Sequence, residues 1–138
     1  PFTIEFIDLY QYLEGGPWAK SIEEKLFHFR SSLSTVFNYV GIHYPGYTVK
    51  LVGVDLNSKN YFFEEELTTL DFSAKDWTTA YTQKEDKHFT VQNFQGTNLL
   101  DKFPFMLEEL GKTDNKVVCC TPTSLLVEEN HVEYQSIV

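Results

Sequence analysis

Glu64-Glu65-Glu66 is the densest run of titratable side chains, and aromatic residues bracket it: Tyr61-Phe62-Phe63 before, Phe72 and Trp77 after. Asp71 and Asp76 add further negative charge downstream. Paired carboxylates do acid–base work when they converge in a pocket that pushes their pKa values apart. Three consecutive acids diverge on a helix or a strand alike, so this run cannot aim at one atom. No EF-hand spacing surrounds it, and no metal is expected there. Acids ringing aromatics suit a different task, an interface centre rimmed by charge. Core packing accounts for the aromatics equally well and stays open as the alternative. On the interface reading, Glu64, Glu65, Glu66, Asp71 and Asp76 supply the charge, with Tyr61 and Trp77 as apolar anchors. A second acidic group, Glu128, Glu129 and Glu133, has no Lys or Arg near it in sequence.

Thiols and imidazoles offer less. His28, His43, His88 and His131 lie far apart, and none makes a short-spaced metal pair with another His or a Cys. His131 could meet Cys120 across neighbouring strands as a nucleophile pair, although a free Cys on a strand usually behaves as a small core hydrophobe. Cys119 and Cys120 are adjacent, which disulfide geometry disfavours. Two unpaired thiols fit a reducing compartment, so the expected location is cytoplasmic. There is no glycine-rich phosphate loop, nucleophile elbow or spaced CxxC, and no cofactor is expected.

The charge balance points to partners. Twenty acids against eleven Lys and Arg give a formal net charge of −9. Such a surface repels nucleic acid and anionic lipid and attracts basic proteins. Arg30 is the one arginine, where phosphate recognition recruits several. Direct nucleic-acid binding is therefore disfavoured. No apolar run reaches the roughly 18 residues of a membrane span, and no membrane association is expected. The first residues carry Glu5 and Asp8 where a signal peptide carries bases.

These residues need a scaffold, and 42% apolar content in 138 residues suffices for one domain over 1–138. Ile4, Phe6, Ile7, Tyr10 and Leu13 have helical spacing, closed by Gly15-Gly16-Pro17. Ser21 and Glu24 have the form of a capping box, and Ile22, Leu26, Phe29, Leu33, Val36, Phe37 and Val40 continue a second helix to Gly41. Tyr47 to Val54 reads as a strand, with a turn over Asp55 to Asn60 and a hairpin partner at Tyr61-Phe62-Phe63. Ser73 and Asp76 could cap a short helix bearing Ala74, Trp77 and Tyr81. His88 to Phe94 alternates like a strand, and Asn98 to Leu110 reads as a helix in which Pro104 kinks or delays the first turn. Val117–Cys120, Leu125–Glu128 and His131–Ile137 read as three strands, the last two joined by a hairpin at Glu129-Asn130. The expected fold is α+β: a mostly antiparallel sheet of about five or six strands, with two N-terminal helices and a later one packed on one face.

The function expected from this reading is a small acidic binding or inhibitor protein, concretely an immunity protein or antitoxin. Its acidic face would neutralise a basic toxin such as a nuclease. The alternatives are a small enzyme without a short motif, with its site between sheet and helix, or an assembly subunit or adaptor.

Overall fold

The computed structural model describes residues 7–10, 16–57, 87–93 and 95–137. Four segments meet at its centre: helix α1 (Ser32–His43), strand β1 (Thr48–Leu51), helix α2 (Leu99–Gly111) and strand β2 (Lys116–Cys119). A short helix α3 (Leu125–Glu128) and a two-residue strand β3 (Glu133–Tyr134) follow.

Among the described residues the sheet has three strands in the order β1–β2–β3, and both pairings are parallel. Thr48 stands opposite Lys116 and Leu51 opposite Cys119, while Val118 faces Glu133. This corrects the expected antiparallel sheet of five or six strands. Parallel neighbours need crossovers rather than hairpins. Here the β2-to-β3 crossover runs through α3. Leu125–Glu128 is a helix instead of a strand because the Ser124 side chain accepts from the Leu126 N–H as an N-cap. Glu129-Asn130 is the end of that helix, not a hairpin turn: Asn130 has φ of 59°, and the N–H groups of His131 and Val132 both donate to the Leu126 carbonyl. The expected partner of β1, Tyr61 to Phe63, lies outside the described residues; the observed partner is β2.

The two expected N-terminal helices are corrected as well. Leu9 forms an isolated parallel bridge to Leu26, with the Leu26 N–H donating to the Asp8 carbonyl and Tyr10 N–H to the Leu26 carbonyl. Residues 21–31 are not helical, and α1 begins only at Ser32, capped by the Ser31 side chain. Leu26, Phe27 and Phe29 are all buried to 1% exposure or less, a pattern that fits extended chain crossing a core. What holds this segment open is Asn38, fully buried on α1. Its Oδ1 accepts from the Ala19 N–H at 3.1 Å and the Phe27 N–H at 2.8 Å, and its Nδ2 donates to the Ala19 carbonyl. Arg30, at φ 54°, then turns the chain into the Ser31 cap.

α2 matches the expected helix closely. Asn98 and Asp101 form a reciprocal capping box, and Leu99, Phe103, Met106 and Leu110 are fully buried. Pro104 sits inside the helix on its exposed side. Phe103 meets Phe37 of α1 edge-on at 5.7 Å, which joins the two helices. Residues 88–94 were expected as a strand; Phe89–Val91 is instead a 3-10 turn. The Arg30 guanidinium fixes this turn by donating to the carbonyls of Phe89, Gln92 and Thr97 at 2.8–2.9 Å. Among the described residues, no helix is long and apolar enough to cross a membrane.

Candidate binding groove

Val127, Asn130, His131, Val132, Glu133 and Tyr134 line an open groove of about 540 Å³. It exists because the chain curls tightly on leaving α3. Glu129 N–H donates to the Leu125 carbonyl, Asn130 N–H to Val127, and His131 and Val132 to Leu126, all at 2.9–3.0 Å. The curl buries Val132 at 9% exposure and sets the His131 ring 5.7 Å from that of Phe103 on α2. These contacts tie the groove floor to the core. Tyr134, 50% exposed, and Ile137, 59% exposed, present apolar surface along β3 and just beyond it.

Of the second acidic group of the sequence, Glu133 lines the groove, Glu129 reaches the lining residue His131, and Glu128 ends α3. All three are exposed. Glu129 approaches Lys87 at 3.9 Å and His131 Nε2 at 3.7 Å, both loose contacts with little energetic weight at the surface. Glu128 and Glu133 keep their charge toward solvent.

The backbone of β3 adds a further property. Gln135 N–H donates to the Cys119 carbonyl at 2.9 Å, so Gln135 points toward β2. Strand alternation then turns Glu133 the same way and aims the N–H and C=O of Tyr134 outward from the sheet.

The first group of candidates, Tyr61, Glu64, Glu65, Glu66, Asp71, Asp76 and Trp77, lies outside the described residues. The remaining candidates have structural occupations. His131 rests on Phe103 and Glu129. The Cys119 thiol is buried and directed at the carbonyls of Val54 and Thr121, and Cys120 is half-buried. His28 shares a hydrogen bond with Thr35, His43 stacks on Tyr39 at 4.3 Å, and His88 bonds Thr90. Beyond the carboxyl ends of β1 and β2, where parallel sheets often bind ligands, the polar groups tie loops together. Thr121 Oγ1 accepts from the Gly53 N–H, the Thr123 carbonyl from Asn57, and the Asp55 carbonyl from the Leu125 N–H. Among the described residues no group of three or more His, Cys, Asp or Glu is placed to hold a metal ion.

Of the groove residues, sequence reasoning names Glu133 as a candidate site residue but misses Asn130 and Tyr134. The available signal was Ser124, a helix cap before Leu125-Leu126, which replaces a hairpin with a helical curl. Comparison with protein-family models, characterised proteins and solved structures gives no match.

Proposed function

We propose that the chain is a binding protein that takes a basic protein partner on an acidic face. The observation that carries this reading is Glu133 on the lining of a groove floored by Val132, with the Glu129 carboxylate 3.7 Å from the lining residue His131. The net charge of −9 extends the attraction to long range and raises the association rate with a cationic partner. The most concrete form is an immunity protein or antitoxin acting on a toxin nuclease, whose phosphate-binding cleft is necessarily positive. Two free cysteines suit action in a reducing compartment such as the cytoplasm.

The test is capture from the native source by the immobilised chain, with retention followed against NaCl. Wild type is expected to hold a basic protein at low salt and release it as salt rises. The variant Glu129→Lys/Glu133→Lys is expected to lose it, while circular dichroism reports an unchanged fold. Equal retention by wild type and variant would remove the groove from the reading.

A further inference from the structure

We infer that the outer edge of β3 pairs with an extended, lysine- or arginine-bearing segment of the partner. This rests on the binding reading above and specifies how the partner is held. Tyr134 turns its N–H and C=O away from β2, which makes it a template for an added strand. Natural sheet edges are commonly blunted by short strands, charge, lysine or proline. β3 is short and carries Glu133, a charge that a basic strand would meet favourably, and residues 131–137, His-Val-Glu-Tyr-Gln-Ser-Ile, contain neither lysine nor proline. The opposite edge of the described sheet, β1, does carry such a residue, the exposed Lys50.

Charge selects the occupant. A strand laid beside β3 places its side chains next to Glu133, with Glu129 near His131 of the groove. Opposite charges across neighbouring strands stabilise pairing and like charges oppose it. A second copy pairing β3 with β3 would set Glu133 near Glu133, and two molecules of charge −9 repel at distance. A basic segment meets neither obstacle. Its apolar residues have Tyr134 to pack on, and the groove floor at Val127 and Val132 lies alongside. β3 is two residues long, so backbone pairing supplies direction and register while charge and groove supply most of the hold.

The experiment uses the synthetic peptide Lys-Val-Lys-Val-Lys-Val-Lys, the same peptide N-methylated at alternate residues, and its Glu-for-Lys counterpart. Binding is read by calorimetry and the Tyr134 amide by hydrogen exchange. Binding of the plain basic peptide, slowing of Tyr134 exchange by about tenfold or more, and loss of both on N-methylation are expected. Salt-sensitive binding indifferent to N-methylation, with Tyr134 unprotected, would overturn the edge pairing and leave the acidic-face reading standing. Failure of the basic peptide to bind, or equal binding of the acidic one, would overturn both. Concentration-dependent self-association that protects Tyr134 without peptide would assign the edge to a second copy and overturn the inference.

Discussion

At the residue scale, His88 sets two influences against each other. Its ring lies 4.6 Å from that of Phe89, and its Nδ1 meets Thr90 Oγ1 at 2.9 Å and caps the 3-10 turn by accepting from the Thr90 N–H. Burial holds its pKa below the ordinary 6.5, and the nearby Asp55 carboxylate opposes that shift without reversing it. The folded chain therefore keeps His88 neutral at a pH where the unfolded chain has already bound a proton. Stability from this group is complete above about pH 6.5 and is lost as pH falls from there through the lower, folded value. Urea midpoints measured at pH 7.5 and 5.5 should drop for wild type and drop less for His88→Gln. An equal drop in both would show that other groups carry the acid sensitivity.

The same scale shows what the sequence makes legible. The spacing of apolar residues finds the helix over Asn98 to Leu110, because a helix announces itself within a dozen residues; its Asn98 cap is a finding of the structure. Asn38 had no such signature. Its importance comes from Ala19 and Phe27, whose N–H groups reach it only after folding.

At the element scale, Arg30 is the clearest case of a charged residue serving architecture. As the one arginine in an acidic chain it has an obvious electrostatic use, yet its guanidinium spans three backbone carbonyls of the loop before α2. A planar fork can serve several acceptors at once, and a lysine ammonium on a flexible stem cannot match that spacing. Arg30→Lys should therefore cost about 2 kcal/mol in chemical denaturation despite keeping the charge. The loss should be accompanied by faster amide exchange at Val91 and Gln92. A cost indistinguishable from zero would mean that the loop is held by other contacts. Elements were misread where their cause lay elsewhere in the chain. The helical spacing from Ile22 to Val40 runs through an extended stretch and a helix alike, since both bury apolar residues against one core. Alternation over 88–94 has the look of a strand, but Arg30 and the His88 cap curl Phe89–Val91 into a 3-10 turn. β1 and β2 were read correctly as strands, but neither carries any local mark of its partner or of parallel pairing.

At the scale of the whole molecule, the net charge of −9 sets the balance between partner attraction and self-repulsion. Screening should relieve the second: the thermal midpoint is expected to rise as NaCl goes from about 20 mM to 200 mM, over which the Debye length shrinks several-fold. A flat or falling midpoint would show that attractive pairs such as Lys112 with Glu108 and Glu109 already offset the repulsion. The acidic clustering at 128–133 was visible in the sequence as composition. The groove beside Glu133 is not visible there, because it depends on a curl set by Ser124 and on Phe103 from a distant helix.

The middle position of β2 also gives the described sheet one long and one short closing loop. β1 emerges early during synthesis, yet its register partners Lys116 to Cys119 come only after α2 has been made. Closing that long intervening loop is an entropic toll that non-local pairing meets late, which slows folding relative to a helical chain of the same length. The Phe37–Phe103 contact, which docks α1 on α2, shortens the span that β1 and β2 must close. Pairing of β3 with β2 closes only the short connection through α3.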